Sequence, residues 1–190
     1  MKAVTEAQYT ALRQHMQVRF GVLYVLPFGD GSTLGALLAV LGVAGLFASL
    51  TMLLAGVLAG SIAGLSLGPV VFVREGLSPE QRAEVLVHEI THSVQVSTTG
   101  LVQYVREYAG SNERRALYES EACCAAAELH HAMTGELPNP VAQVAHGYLL
   151  DGEAIAFGVA LGEQAALAIE QGIYTQPVAI AAIAFLRGLP

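Results

Sequence analysis

His88, Glu89 and His92 stand in the order H-E-x-x-H within His88-Glu89-Ile90-Thr91-His92, and these are residue types that do chemistry at that spacing. On a helix, residues four apart lie on one face about one turn apart, so both imidazoles reach a single metal ion. Glu89 is rotated by roughly 100° from His88, which sets its carboxylate beside that ion, free to take a proton from a metal-bound water. Two ligands and a base are thus encoded within five residues.

The flanking residues predict the helix that carries them. Ser78-Pro79-Glu80-Gln81 is a helix start, with Ser78 as N-cap, proline at the first helical position and Gln81 closing a capping box. The helix then runs through Val85, Leu86 and Val87 into the motif and on toward Gly100.

A catalytic zinc site takes three protein ligands and keeps one position open. Candidates for the third ligand are Glu119 and Glu121, on a second predicted helix that starts near Ser111 or Asn112 and ends at Gly135. Two residues apart on a helix means about 200°, so only one of them faces the metal. The Glu119 face continues through Ala122, Cys123, Ala126 and His130, small residues that let two helices approach closely. The Glu121 face continues through Cys124, Ala125 and Glu128, with Arg114 and His131 nearby, and reads as more solvated. Glu119 is therefore the expected ligand and Glu121 the alternative. For an oxyanion donor, Tyr104, Tyr108, Tyr118, His130, His131 and His146 are all candidates, although His130 lies roughly 16 Å by helix rise from Glu119, too far to share its ion.

His88, Glu89 and His92 followed by Glu119 with Ala122 three residues on, and preceded by the run-up at residues 69–79, resemble the gluzincin-type zinc metallopeptidases, in particular short bacterial and phage domains with HExxH followed by ExxA. The resemblance covers residues 69–135, the metal-site core. It implies Zn2+ as cofactor, His88, His92 and Glu119 as its ligands, Glu89 as general base, and peptide-bond hydrolysis by a zinc-dependent metalloendopeptidase acting on a peptide or protein substrate. Many such domains carry an acidic residue four positions after the ligand glutamate, where it orients a histidine. Here Cys123 stands there, so other groups must orient the ligands.

Composition gives the setting. The chain has 190 residues, 54% of them hydrophobic and 13% charged, which points to a membrane. Residues 31–73 contain no charge, and a bilayer span needs roughly 20 apolar residues, so the segment 33–67 is read as one span or a hairpin of two short ones. Gly56, Gly60 and Gly64 repeat at the spacing that suits close packing of membrane helices. The competing reading is an apolar core segment of a soluble protein. A net charge of −7 and no basic cluster larger than Arg114-Arg115 disfavour nucleic acid. The adjacent pair Cys123 and Cys124 offers no disulfide framework, which favours a reducing, cytoplasmic setting for the catalytic portion.

Elsewhere, residues 1–20 read as a helix with a stripe of Tyr9, Leu12, Met16 and Phe20, and residues 22–27 as a short strand. Residues 70–73 read as an edge strand beside the active site, able to hold an extended peptide by main-chain pairing. Helices are expected at 141–150, 153–171 and 177–186, after a joint at Pro138-Asn139-Pro140. The expected fold class is α+β, mostly helical: residues 1–190 form one metallopeptidase-like domain with a short strand before the active-site helix and a membrane-inserted apolar segment. Two other functions fit the sequence. One is a non-catalytic membrane or phage/secretion-associated module whose metal is structural; the other is a soluble metallohydrolase with a non-peptide substrate.

Overall fold

A computed structural model describes residues 3–28, 63–138 and 152–189. It is a mostly helical α+β arrangement in the order α1 (Glu6–Phe20), β1 (Tyr24–Phe28), β2 (Gly64–Leu67), β3 (Val70–Arg74), α2 (Pro79–Thr99), α3 (Leu101–Gly110), α4 (Asn112–Thr134), α5 (Gly152–Glu170) and α6 (Pro177–Arg187). The expected segment 33–67 lies outside the described residues up to position 62, as does the expected helix 141–150. Residues at the end of that apolar segment form a strand, Gly64–Leu67.

α2 is the hub, packing on α1, α3, α4, α6 and two strands. Its start is the expected one: the Ser78 hydroxyl accepts from the Gln81 amide, the Gln81 side chain accepts from the Ser78 amide, and Pro79 follows. Its end is Gly100, whose φ of +87° is a conformation that side chains resist, and this residue turns the chain directly into α3. α1 buries Tyr9, Leu12 and Met16 in the core. Removing a side chain such as Leu12 or Met16 from water contributes about 1.5–3 kcal/mol.

The sheet is mixed, in the order β1-β3-β2, with β1 parallel and β2 antiparallel to β3. This corrects the expectation for residues 70–73. Among the described strands Val70–Arg74 is the central one, with Val71, Phe72 and Val73 buried, and the outer strand that also lies against α2 is β2. The sequence hides β2 because its four residues, Gly64-Leu65-Ser66-Leu67, are too short a stretch for their alternation to stand out at the end of a long apolar run.

α4 also departs from expectation on one face. Cys124, Ala125 and Glu128, expected near solvent, are buried, because α4 is enclosed by α2, α5 and α6. Glu128 is held there by bonds to the start of α6. Its carboxylate accepts from the Thr175 amide at 2.7 Å, the Thr175 hydroxyl at 3.0 Å and the Gln176 amide at 3.0 Å, which ties α4 to the residues leading into α6 and offsets the cost of burying the charge.

α5 is the one described helix long and apolar enough to cross a membrane, a length and composition shared by core helices of soluble proteins. Its buried face is Ala154, Gly158 and Gly162 with Ile169, and its neighbour is α4. Small residues on both helices permit the close approach.

Candidate metal centre

α2 presents His88 and His92 one turn apart, with ring centroids 4.8 Å apart. α4 crosses α2 so that Glu119, nearly fully buried, meets them. His88 Nε2 and His92 Nε2 are 3.1 Å apart, and Glu119 Oε2 lies 3.6 Å from the first and 3.5 Å from the second. Four-coordinate zinc with bonds of about 2.0–2.1 Å has ligand atoms about 3.3–3.4 Å apart, the edge of the tetrahedron. The three observed separations bracket that value, so His88, His92 and Glu119 can hold a metal ion.

The polar atoms fit the same conclusion. Glu119 Oε2 is buried without a hydrogen-bond partner, an expensive arrangement for a carboxylate oxygen. Two imidazole nitrogens aimed at each other at 3.1 Å share at most one hydrogen when both rings are neutral. A cation among the three atoms satisfies all of them.

Each ligand has a second group beside it. Gln95 supports His92: its Oε1 is 2.8 Å from His92 Nδ1, while its Nε2 donates to the Tyr118 carbonyl at 3.0 Å and to Glu121 Oε2 at 2.9 Å. A carbonyl and a carboxylate only accept, so the amide nitrogen must face them and Oε1 must face His92. His92 Nδ1 then carries the hydrogen, leaving the Nε2 lone pair for the metal. Tyr104 also reaches Nδ1, at 3.2 Å. The Tyr108 hydroxyl donates to Glu119 Oε1 and so turns Oε2 toward the histidines. Cys123 is close enough to His88 to favour its charged form, and it stands at the position where an acidic residue was expected.

The electrostatics follow from burial and mutual charge. For Glu119, burial pushes the pKa up, but the neighbouring His92 and His88 outweigh it and hold the carboxyl well below the usual range. For His92, burial favours the neutral ring, and Glu119 overcomes this and raises the pKa. For His88 the same opposition, with Cys123 and Glu119 on the raising side, leaves it well above its ordinary value. Glu89 is buried, and that burial raises its pKa against the lowering effect of the two histidines. Burial likewise raises the Tyr104 and Tyr108 hydroxyls, which stay protonated.

The third-ligand candidates are now separated in space. Glu119 joins the histidines, while Glu121 lies outside the group and orients Gln95. Among the expected oxyanion candidates, Tyr104 and Tyr108 reach the site. Tyr118 instead binds Glu107, His130 binds Glu84 at 2.8 Å and His131 binds the Tyr174 hydroxyl at 3.1 Å; His146 lies outside the described residues.

Two contributors escaped the sequence reading: Gln95 and the helix α3. Gln95 is three residues after His92, and that spacing was the available signal. For α3 the signal was Leu101, Tyr104, Val105 and Tyr108 at i, i+3, i+4 and i+7. Arg115 secures its end, donating to the Tyr108 carbonyl at 2.8 Å.

The chain is thus a mostly helical α+β protein with a small mixed sheet and a His-His-Glu group that can bind a metal. No protein-family model, curated protein or solved structure matches it.

Proposed function

We propose that this chain is a membrane-associated zinc metallopeptidase of the gluzincin type. The observation that carries the reading is the placement of Glu89, a buried carboxylate on the same helix as two ligands and beside all three. A metal clip that only joins α2 to α4 needs His88, His92 and Glu119 but has no use for Glu89, so the second reading, a structural metal site, leaves this residue unexplained.

His88, His92 and Glu119 would hold a zinc ion, and the chemistry it would supply there is Lewis acidity that lowers the pKa of a water molecule. Glu89 would accept a proton from the attacking water and pass it to the leaving amine, a role suited to a carboxyl whose pKa is raised by burial. Tyr108 and Gln95 hold Glu119 and His92 in ligating orientation. β2, which among the described residues pairs on one side only, with β3, would receive an extended peptide along its other edge next to α2. Association with a membrane rests on the uncharged run at residues 31–73.

The test is Glu89→Gln. The purified variant is expected to retain about one zinc per chain while hydrolysis of an unstructured protein such as casein falls about 10²–10⁴-fold. Hydrolysis at the wild-type rate in that variant overturns the reading, and zinc without hydrolysis in either protein favours the structural clip.

A further inference from the structure

Gly64 is the residue of β2 that lies against the middle of α2. A Cβ placed on Gly64 would stand 2.7 Å from Glu89 Cγ, 2.7 Å from Glu89 Oε1 and 2.5 Å from Val85 Cγ1. Contacts below 3.0 Å are not tolerated by real side chains, so any larger residue would have to displace the Glu89 carboxylate, Val85 or the strand. Two residues along β2, on the same face, Ser66 Oγ is hydrogen-bonded to Ser93 Oγ at 2.9 Å. Ser93 in turn donates to the main-chain carbonyl of Glu89 at 3.3 Å. The edge strand is thus tied to the helix one turn beyond Glu89 and bare of side chain where it meets Glu89 itself.

We infer that Gly64 is a positioning residue for Glu89: the missing side chain creates the slot in which the carboxylate stands, and the Ser66–Ser93 bond fixes how far the strand lies from the helix. This inference rests on the proposed role of Glu89 as the base. The glycine is also the last in the repeat Gly56, Gly60 and Gly64, which a sequence reading assigns to helix packing. In the structure it lies in a strand.

The slot is tested by Gly64→Ala, measured in the full-length chain in three backgrounds: wild type, Glu89→Ala and Val85→Ala. In the wild-type background the substitution is expected to lower Tm by about 5 °C, as overpacking does in a chain of this size. In the Glu89→Ala background at least half of that loss should disappear. An equal loss in both backgrounds overturns the inference, because the space would then not belong to Glu89.

Activity supplies the independent arm. Gly64→Ala is expected to keep one zinc per chain and a KM within about twofold of wild type, while kcat falls roughly 10–100-fold, the scale of a misplaced catalytic group. Adding Val85→Ala should recover stability without restoring kcat; recovery of both would reduce Gly64 to a packing residue. Ser66→Ala adds no bulk and is expected to lower kcat by about 3–10-fold, a smaller misplacement than Gly64→Ala produces. An unchanged kcat in that variant removes the Ser66–Ser93 bond from the device. If the wild-type protein hydrolyses nothing, the proposed function fails, while the stability cycle still decides whether Gly64 makes room for Glu89.

Discussion

Replacing Tyr108 by Phe removes one hydroxyl and leaves the ring, so it isolates the bond to Glu119 Oε1. A hydrogen bond to a charged, buried group is worth about 1.5–3 kcal/mol, and each 1.4 kcal/mol is tenfold in a dissociation constant. The bond is lost in the metal-free protein as well. There the Glu119 carboxylate has an escape, turning further toward His88 and His92, whose nitrogens lie 3.6 Å and 3.5 Å away. With Oε2 committed to zinc that escape is closed, so the loaded state bears more of the loss. The net expectation is about tenfold weaker zinc binding, at the lower end of what support residues around metal ligands contribute. Competition against a chromophoric chelator at fixed pH measures it. Tyr118→Phe is the internal control, because its hydroxyl binds Glu107 near the surface, and its effect should stay within about twofold. Equal zinc affinity in Tyr108→Phe and wild type would refute the claim that α3 orients the third ligand.

Three further outcomes are expected. Because His88 and His92 have raised pKa values in the metal-free protein, zinc must displace protons held above pH 6.5, so affinity should fall on acidification by up to about tenfold per pH unit for each proton released. The same shifts stabilise the metal-free fold below the ordinary histidine pKa, and that contribution is lost as pH rises through the raised values, so metal-free Tm should decline with pH while zinc-loaded Tm does not. Calorimetric proton counting and paired melts check both; pH-independent zinc affinity would show that the histidines are not ligands. For the membrane reading, the chain should remain in the pellet after alkaline carbonate extraction, and recovery in the soluble fraction would exclude an inserted segment.

The helix α2 was written locally. Ser78, Pro79, Gln81 and Gly100 mark its ends, and HExxH puts both histidines on one face wherever that helix lies. The choice of Glu119 over Glu121 was also legible, through the small residues that share its face, although the reason offered for Glu121 failed. Its face is buried rather than solvated, and Glu121 is excluded because it points to Gln95. α3 had a readable apolar period, but nothing local tells that Tyr108 would reach a carboxylate eleven residues on.

What the sequence by itself determined are the features that depend on neighbours along the chain: helix ends, helix faces and the spacing of His88, Glu89 and His92. Tertiary structure decided the distances between groups far apart in sequence. It brought Glu119 Oε2 within 3.6 Å of both imidazoles, made the amide of Gln95 a link between α2 and α4, and placed β2 at the sheet edge with Gly64 against Glu89. Periodicity reports which face of an element is apolar, whereas the depth at which two faces meet is set by the side chains between them. In this protein it is the alanines of α4 and the bare backbone of Gly64 that let the chemistry converge.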